Sequence, residues 1–227
     1  LTPEIKRLQF SIIKPEEGIT FKPGQYVQLE IPKYKLSKNP EFRAYSVASG
    51  SEDHHHLELV ITRMEQGTVS TYVHDYLKIG QELKINGPFG DFYLRDSSLP
   101  ILFIATGSGI APIRSILYEI RGKGIKRETT LFFGARNRKD LAFYDELNEM
   151  EKQIPNFTFF PTLSRSTDED KWEGEKGRVT DLIEKKVRQN TEIEVYMCGS
   201  PVMVNSCVIK LTKKGVPEEC IFYDKFE

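Results

Sequence analysis

Residues 1–96 contain short segments in which apolar and polar side chains alternate, with turn residues between them. Alternation with a period of two, interrupted by Gly, Pro and Asn, is typical of the strands of an antiparallel barrel or sandwich. One helical interruption is expected from Ser70 to Leu77. The clearest strand segments are Lys6–Ile13, Tyr26–Ile31, Arg43–Ala48, Leu57–Arg63 and Glu82–Asn86.

From Leu99 the pattern changes to continuous apolar runs that alternate with segments of helical period. Strands alternating with helices predict a doubly wound parallel sheet with helices on both faces. We therefore expect a β domain over 1–97 and an α/β domain over 98–227. The predicted strands are Ile101–Ala105, Thr129–Phe133, Phe157–Leu163 and Glu194–Met197. The predicted helices are Ile113–Ile120, Asp140–Gln153, Val179–Arg188 and Val202–Lys214.

A glycine-rich turn joins the first apolar strand of the second half to its first helix. It runs from Thr106 through Gly107 and Gly109 to Pro112. Glycines in this setting let the backbone approach a phosphate, and the helix N-terminus supplies free N–H groups. A dinucleotide pyrophosphate is the natural ligand, although a tight turn without a ligand fits the same pattern. Proline stands where a Rossmann fingerprint has its third glycine, so this turn alone does not identify a dinucleotide site.

A second set of candidate residues lies in the β half. Arg43, Tyr45 and Ser46 place a guanidinium, an aromatic ring and a hydroxyl on one predicted strand. An isolated match of this kind would be an ordinary barrel strand. It is followed, however, by a small-residue turn from Gly67 to Ser70, which is a possible phosphate site, and by Gly87-Pro-Phe-Gly. Two pyrophosphate-type sites predict two nucleotides that face each other.

Composition and charge narrow the possible classes of protein. The chain has 227 residues, of which 39% are hydrophobic and 29% are charged, which is a folded rather than a disordered composition. With 32 Lys+Arg against 33 Asp+Glu, the net charge of −1 argues against a nucleic-acid binder. No run reaches the roughly 18 apolar residues that a membrane helix needs.

Cysteine and histidine usage points away from disulfides and metals. The cysteines Cys198, Cys207 and Cys220 are odd in number and lack metal-ligand spacing, so we expect a reducing compartment, the cytoplasm. They also leave no plant-type iron–sulfur site inside this chain. Three adjacent histidines, His54 to His56, cannot all face one ion, and we predict no metal.

The order of these motifs resembles the ferredoxin–NADP reductase superfamily. The stretches around Arg114, around Trp172 and in the C-terminal tail look most like the FAD/NADH module of the F subunit of the sodium-pumping NADH:quinone oxidoreductase. The reductase components of multicomponent oxygenases, of the phenol hydroxylase type, come next. The resemblance implies a six-stranded FAD-binding barrel followed by a nicotinamide-nucleotide domain. The motifs that carry it are Arg43-x-Tyr45-Ser46, Gly67-x-x-Ser70, Gly87-Pro-Phe-Gly90, Thr106-Gly-x-Gly-x-Ala-Pro112 and Tyr196-Met-Cys-Gly-Ser-Pro201.

For the barrel, the resemblance implies that Tyr45 packs against the isoalloxazine and that Ser46 hydrogen-bonds near its N5 atom. Arg43 and the turn from Gly67 to Ser70 are expected to hold the FAD pyrophosphate, since a guanidinium matches phosphate geometry. The strand Leu57–Arg63 is expected to run along the ribityl chain through its backbone. The expected FAD contacts are Arg43, Tyr45, Ser46, Val60, Gly67, Val69 and Ser70.

For the α/β domain, the resemblance places Cys198 beside the nicotinamide as a soft spacer, with a buried structural cysteine as the alternative. Phe226 is expected to cover the flavin face, unless it only anchors the sheet. With Ser46, these residues form the expected catalytic set. The loops at Gly134–Arg136 and Ser164–Arg165 are expected to flank the adenosine. The expected nucleotide contacts are Thr106, Gly107, Gly109, Pro112, Gly134, Arg136, Ser164, Arg165, Cys198, Gly199, Pro201, Met203 and Phe226.

The Ser164-Arg165 pair leaves the choice of nucleotide open. A Ser-Arg pair in this loop holds the 2′-phosphate in the NADP-specific reductases, but here three acidic residues, 168–170, follow it. Their charge disfavours an extra phosphate, so NADH is preferred over NADPH.

The leading hypothesis is a reductase module that takes hydride from NADH onto FAD and passes single electrons to an iron–sulfur centre. That centre is a [2Fe-2S] ferredoxin-like domain or partner, and the final acceptor is a quinone-reducing membrane complex or an oxygenase. A soluble NADPH-dependent ferredoxin or flavodoxin reductase is the alternative enzyme, and a non-catalytic nucleotide-binding docking subunit is the alternative from another class. The chain starts at Leu1 without Met. We therefore expect a longer native chain with an N-terminal iron–sulfur domain, and with a membrane helix if it belongs to the sodium pump, on the cytoplasmic face.

Overall fold

The computed structural model describes residues 1–225. Five strands form the N-terminal portion: β1 (Ile5–Ser11), β2 (Tyr26–Ile31), β3 (Glu41–Ser46), β4 (His56–Thr62) and β5 (Lys84–Phe89). Their alternating apolar side chains point inward, and residues such as Val27, Leu29 and Leu59 are fully buried.

These strands pair antiparallel in two hydrogen-bonded sheets, β3-β2-β5 and β1-β4. A single bridge between Val47 and Leu59 connects β3 to β4, so the two sheets enclose one apolar core. The predicted antiparallel barrel architecture is therefore confirmed. The structure has five strands in this portion where six were predicted.

The predicted helical interruption is present but begins two residues earlier than the predicted Ser70. Helix α1 (Thr68–Thr71) continues directly into a π-helical turn, Tyr72–Tyr76. Val69 and Tyr72 pack against Ile31 below this segment. The short helix therefore covers one end of the barrel, and the turn at Gly67 enters it.

Six strands form one parallel sheet in the C-terminal portion. They are β6 (Ile101–Thr106), β7 (Thr129–Ala135), β8 (Phe157–Leu163), β9 (Glu175–Lys176), β10 (Glu194–Gly199) and β11 (Ile221–Lys225), in the order β11-β10-β6-β7-β8-β9. The helices are α2 (Ile110–Gly122), α3 (Tyr144–Gln153), α4 (Val179–Lys186) and α5 (Pro201–Lys213). Strands β9 and β11 were not predicted, because β9 has only two residues and β11 has only five, the last two of which are charged.

Helices cover both faces of this sheet, which confirms the doubly wound arrangement. One face packs against α2 and α3 through residues such as Ile116 and Leu147. The opposite face packs against α4 and α5 through Leu182 and Leu211. Within residues 1–225, no helix has the length and apolar character needed to span a bilayer.

The core on the α2 side of the sheet continues into the barrel. Ala48 and Val60 from the barrel strands belong to the same buried cluster as Ile110 and Ile113 of α2. The two portions therefore share one apolar interface, which is a condition for holding two bound groups at a constant separation. The predicted domain boundary between residues 97 and 98 falls in the linker between β5 and β6.

Candidate functional site

Strand β3 carries the three candidate residues of the barrel at increasing depth. The guanidinium of Arg43 is exposed, and its Nη1 donates to the carbonyl oxygen of Phe42 at 2.9 Å. Tyr45 is half-buried against barrel side chains, and burial raises the pKa of its phenol to about 12. Ser46 is buried, with 4% of its surface exposed. The strand therefore offers a cation at the surface, a neutral aromatic ring below it and a hydroxyl at the bottom.

The hydroxyl of Ser46 has no hydrogen-bond partner in the protein. Among the described residues, its Oγ is the only buried side-chain nitrogen or oxygen atom left unpaired. A buried polar group without a partner costs about 1–3 kcal/mol, so native proteins rarely leave one. A bound ring that presents a polar nitrogen at this position would remove that cost. The residues present therefore fit the flavin that the sequence predicts.

The turn from Gly67 to Ser70 presents backbone rather than side chains. The Ser70 hydroxyl accepts from the N–H of Met64 at 3.1 Å and contacts the carbonyl of Gly67 at 3.2 Å. It therefore closes its own loop. Val69 is buried below the turn. A Cβ on Gly67 would lie 2.6 Å from the Ser70 hydroxyl, so this tight loop requires glycine.

Strand β4 connects the barrel to the glycine turn. The side chain of Val60 is buried in the shared core, so only its backbone is available to a ligand. Two residues later, the Thr62 hydroxyl donates to the Ser108 hydroxyl at 2.8 Å. Neither Thr62 nor Ser108 was predicted as a site residue, because nothing in the sequence links two hydroxyls 46 positions apart.

The predicted glycine turn lies at the carboxyl end of β6 and leads into α2. Gly107 has a φ of +56°, in the left-handed region that glycine adopts without strain. A Cβ on Gly109 would lie 2.2 Å from the carbonyl oxygen of Cys198. Pro112 is buried in the first turn of α2, where its missing N–H costs nothing. With Thr106 at the strand end, the turn forms a close-packed backbone cradle at the start of a helix.

The neighbouring strand β10 ends at the same edge. Gly199 has a φ of +153°, and a Cβ there would lie 2.6 Å from the Thr106 hydroxyl. After it, Ser200 caps α5 by accepting from the N–H of Met203 at 3.3 Å, and Pro201 takes the first helical position. Cys198 and Gly199 therefore lie against the glycine turn, while Pro201 and Met203 lie in the first turn of α5 that follows.

The thiol of Cys198 is fully buried. Burial raises the pKa of Cys198 well above its usual range, and the nearby carboxylate of Asp224 raises it further. The thiol is therefore protonated at neutral pH and is not a nucleophile, because nucleophilic attack needs the thiolate. Both the spacer and the structural interpretation of Cys198 remain compatible with this burial.

Two loops at the carboxyl ends of β7 and β8 lie side by side. The N–H groups of Ser164 and Arg165 donate to the carbonyls of Ala135 and Arg136 at 3.0 and 2.8 Å. Arg136 and Arg165 are exposed, and neither forms an ion pair with another described residue. Gly134 is buried, and a Cβ there would lie 2.8 Å from a methyl of Val179. The pairs predicted to flank the adenosine are thus brought together.

A cleft of about 270 Å³ lies between the barrel and the end of β11. Its lining residues are Gly24, Tyr26, Gly90, Asp91, Phe92, Arg95, Phe222, Tyr223 and Asp224. Tyr26 pairs with Ser46 on the adjacent strand, and Asp224 lies beside Cys198. Ser46 and Cys198, which were both predicted to be catalytic, therefore each lie one strand away from the same cleft. The third, Phe226, lies outside the described residues.

One buried cation was not predicted as a site residue. Arg114 lies on α2 with 2% of its surface exposed, and it contacts both portions of the molecule. A signal was present in the sequence, since Arg114 is the only charged residue from Ile110 to Leu117, where every other residue except Ser115 is apolar. A lone charge on a face predicted to be buried indicates a paired cation.

Residues 1–93 match the family described as the oxidoreductase FAD-binding domain, and residues 103–208 match the oxidoreductase NAD-binding domain. The propane 2-monooxygenase reductase component of Gordonia sp. (strain TY-5) is 36% identical over 230 residues, which cover 100% of this chain and 64% of that protein. The F subunit of the Na(+)-translocating NADH-quinone reductase of Neisseria meningitidis is 32% identical, covering 98% and 64%. The crystal structure of the Amycolatopsis cytochrome P450 reductase GcoB has a TM-score of 0.89 at 27% identity, covering 100% and 66%.

Both groups of proteins that the motifs resemble are therefore among the relatives of this chain. The chain spans 64% of the length of each of these two curated relatives. The remainder of each relative lies outside the matched region.

Proposed function

Because the chain belongs to the ferredoxin reductase family of FAD- and NAD-binding oxidoreductases, we propose that it is the module that takes hydride from NADH onto FAD and delivers single electrons to an iron–sulfur centre. FAD, when bound, accepts two electrons together and can release them one at a time. The protein's own residues bind the two nucleotides, align them and exclude water. The unpaired Ser46 hydroxyl at the bottom of β3 is the observation that carries the proposal.

In the barrel, Ser46 is proposed to hydrogen-bond the flavin near N5. A hydroxyl both donates and accepts, so it can serve either protonation state of that atom. Tyr45 packs its neutral ring against the isoalloxazine. The exposed guanidinium of Arg43 and the backbone of the Gly67–Ser70 turn are proposed to hold the pyrophosphate. Since the Ser70 hydroxyl is committed to its own loop, we assign the binding role in this turn to N–H groups.

In the α/β half, the backbone from Gly107 to Gly109 is proposed to bind the pyrophosphate of NADH. The helix N-terminus and its free N–H groups favour an anion there. Gly199 lets the nicotinamide approach, with the protonated thiol of Cys198 as a spacer behind it. Phe226 is proposed to cover the flavin face. Alignment at this contact is the protein's main contribution to hydride transfer.

We propose NADH as the nucleotide, on the basis of charge near the adenosine loops. Asp168, Glu169 and Asp170 follow these loops, and Asp170 is hydrogen-bonded to Arg138, two residues after Arg136. Its carboxylate accepts from the N–H groups of Thr167 and Arg138 at 2.8 and 3.1 Å, and these hydrogen bonds lower the pKa of Asp170. It is therefore ionised at neutral pH and repels an additional phosphate.

We propose a [2Fe-2S] ferredoxin-like domain or protein as the one-electron acceptor. The named relatives support a protein acceptor of electrons, since one is the reductase component of a monooxygenase and another is a subunit of a quinone reductase, and the iron–sulfur class comes from the resemblance of the motifs. Either an oxygenase or a quinone-reducing membrane complex is compatible with the module. Three free cysteines among the described residues support a reducing compartment, for which we propose the cytoplasm.

The direct test uses the purified chain loaded with FAD. We expect a yellow protein whose flavin absorbance is bleached by NADH without oxygen, and which reduces ferricyanide during steady turnover. Free FAD mixed with NADH at the same concentrations is the control for reduction without protein. A protein that takes up no FAD, or that binds FAD and is not bleached, contradicts the proposal. A pure docking subunit would show no ferricyanide reduction.

The alternative, an NADPH-dependent ferredoxin or flavodoxin reductase, is favoured by one observation. Arg136 and Arg165 lie together, exposed and without an ion pair among the described residues, as a 2′-phosphate site requires. Comparing kcat/KM for NADH and NADPH decides between the two. We expect a higher value for NADH, and Arg165→Ala is expected to lower only the residual activity with NADPH. A preference for NADPH that Arg165→Ala abolishes would establish the alternative.

A further inference from the structure

Arg114 is a buried cation that the proposed nucleotide contacts do not use. It lies on α2, slightly more than one helical turn after Gly109 of the glycine turn. Only 2% of its surface is exposed. A cation this deep needs partners for its charge and for every N–H group.

On the barrel side, Arg114 hydrogen-bonds to residues next to the bridge that connects strands β3 and β4. Its Nη1 donates to the carbonyl of Ala48 at 2.7 Å and to the carboxylate of Glu58 at 2.6 Å. The N–H of Ala48 in turn donates to the carbonyl of Glu58 at 2.8 Å. One residue further along α2, the Ser115 hydroxyl donates to the carbonyl of Ser49 at 2.7 Å. The side of α2 is therefore hydrogen-bonded to the segment that directly follows Ser46.

On the α/β side, Arg114 binds α3 and its own helix. Its Nε and Nη2 donate to the two oxygens of Glu146 at 2.6 and 3.1 Å, and Nη2 also donates to the Tyr118 hydroxyl at 2.8 Å. With the bonds from Nη1, all five guanidinium N–H groups are used. The Cζ atom of the guanidinium lies 4.3 Å from the ring centre of Phe143. Phe143 itself has a φ of +58°, which is uncommon for a residue with a large side chain.

We propose that Arg114 is the positioning residue for hydride transfer, holding the strand end at Ser46 in register with the glycine turn that binds NADH. This inference rests on the proposed function, because it assigns the flavin to Ser46 and the nucleotide to Gly107–Gly109. Arg114 touches neither nucleotide site. It acts through the carbonyl of Ala48, two residues after Ser46, and through the helix that begins at the glycine turn.

The proposal predicts a change in rate that is separable from binding. Each nucleotide keeps its own contacts when the two halves shift slightly, so affinities are preserved. Hydride transfer, in contrast, depends on the distance between the two rings, and a shift of about 1 Å can lower such a rate by about a hundredfold.

The test is Arg114→Lys, which keeps the charge but replaces a fork of five donors with three donors on one nitrogen. Stopped-flow mixing with NADH without oxygen gives both the limiting rate of flavin reduction and the dissociation constant of NADH. We expect the limiting rate to fall by about tenfold to a hundredfold, while FAD content and the dissociation constant change by less than about threefold.

The matched control is Arg127→Lys. Arg127 is a second arginine with a largely covered side chain, 8% exposed, and it pairs with Glu194 at 2.7 Å and bonds to the carbonyls of Leu99 and Arg95. It lies at the amino end of the sheet, away from the glycine turn. We expect Arg127→Lys to lower the melting temperature and leave the limiting rate within about twofold of the parent, since its one bond to the N-terminal portion is to the carbonyl of Arg95, outside strands β1 to β5.

Ser115→Ala keeps the test decisive if Arg114→Lys does not fold, because it removes only the bond to Ser49. We expect a threefold or larger fall in the limiting rate, with the NADH dissociation constant unchanged. A limiting rate within twofold of the parent in every one of these two variants that folds overturns the proposal, as does an equal fall in Arg127→Lys. Failure of the proposed function is distinguishable, since the parent protein itself would then not be reduced by NADH.

Discussion

The barrel and the α/β sheet present their candidate sites in different chemical forms. In the barrel, the site consists of side chains at three depths along one strand, Arg43, Tyr45 and Ser46. In the sheet, it consists of backbone, and glycine is required because other chain segments lie too close for a side chain. Gly109 faces the carbonyl of Cys198, and Gly199 faces the Thr106 hydroxyl.

The difference follows from where each site lies relative to its strands. Strand β3 is an edge strand whose ladder hydrogen bonds run to β2 alone, and the contacts proposed on it are the side chains of Arg43, Tyr45 and Ser46. At the carboxyl end of β6, the chain leaves the ladder and enters a helix, whose first N–H groups have no partner in the helix. A binding site on a strand therefore depends on residue type, and a binding site at a strand–helix junction depends on backbone conformation.

The largest expected effect, on the rate of flavin reduction, tests the barrel site, where side chains are proposed to bind the ligand. Ser46→Ala removes the hydroxyl proposed to bind the flavin near N5, and loss of one such polar group lowers a rate by about 10²-fold. The same change removes a buried hydroxyl that has no partner in the protein. We therefore expect the FAD-free protein to be more stable by about 1 kcal/mol. Stopped-flow reduction by NADH and urea unfolding of the FAD-free protein measure the two effects.

Thr129→Val is the matched control in the other half. The Thr129 hydroxyl is also buried, but it donates to the carbonyl of Arg127 at 3.0 Å. Its loss leaves that partner with one hydrogen bond fewer, so we expect lower stability by about 1 kcal/mol and an unchanged rate. If the two substitutions changed stability in the same direction, Ser46 would not be the unpaired group that the comparison requires.

The second largest effect, on the affinity for NADH, tests the glycine turn of the sheet, where the backbone is proposed to bind the ligand. Gly109→Ala places a Cβ 2.2 Å from the carbonyl oxygen of Cys198, so the turn must shift. Overpacking of this kind costs about 1–3 kcal/mol. We expect the dissociation constant of NADH to rise by about tenfold, which corresponds to about 1.4 kcal/mol. FAD content is expected to stay unchanged. Titration with NADH and the flavin absorbance of the purified protein measure these quantities.

Gly124→Ala separates close approach from general loss of stability. Gly124 has a φ of +61°, and no atom lies within 4 Å of the position that its Cβ would take. The left-handed conformation costs a residue other than glycine about 1–2 kcal/mol. We therefore expect lower stability and normal NADH binding. Equal loss of FAD and NADH in Gly109→Ala would show that the halves are not separable in this way.

The smallest effect concerns β11, where the two halves meet. Burial raises the pKa of Asp224 above its usual range. The native state therefore disfavours the ionised form, and stability is lost as pH rises from the unfolded-state pKa of about 4 through the raised folded-state pKa. We expect Asp224→Asn to stabilise the protein at pH 7 by about 1 kcal/mol or less and to have no effect near pH 3. Urea unfolding at the two pH values measures this.

Asp170→Asn is expected to change the stability at pH 7 in the opposite direction from Asp224→Asn. Hydrogen bonds from the N–H groups of Thr167 and Arg138 lower the pKa of Asp170. The stability that it contributes is present above its unfolded-state pKa and is lost as pH falls through the lowered folded-state pKa. We expect Asp170→Asn to destabilise the protein at pH 7. A stabilising effect there would contradict this assignment.

Much of the candidate site could be predicted because its signals are local. The turn from Thr106 to Pro112 combines a buried strand, glycines and a helix start within a few residues, and the structure places it at that junction. The carboxyl ends of β7, β8 and β10 reach the same edge for a general reason. In a parallel sheet, the carboxyl ends of all strands lie on one side.

Other features could not be predicted because they depend on contacts between distant segments. The bonds of Arg114 to Ala48 and Glu58 span 66 and 56 positions. Strand β9 has two residues and exists only because β8 lies beside it. The turn from Gly67 to Ser70 was predicted as a phosphate site, but only the path of the loop shows that the Ser70 hydroxyl bonds to Met64.

The sequence by itself determined the order of elements, the two-part architecture and the positions of the glycine turns. These depend on side-chain period and on backbone conformations that a few adjacent residues set. Only the tertiary structure decided which polar groups remain without a partner and which are already paired. Ser46 and Ser70 are both buried serines in predicted motifs, yet one hydroxyl is unpaired and the other is bonded within its loop. The physical reason is that hydrogen-bond pairing depends on every segment that packs around a group.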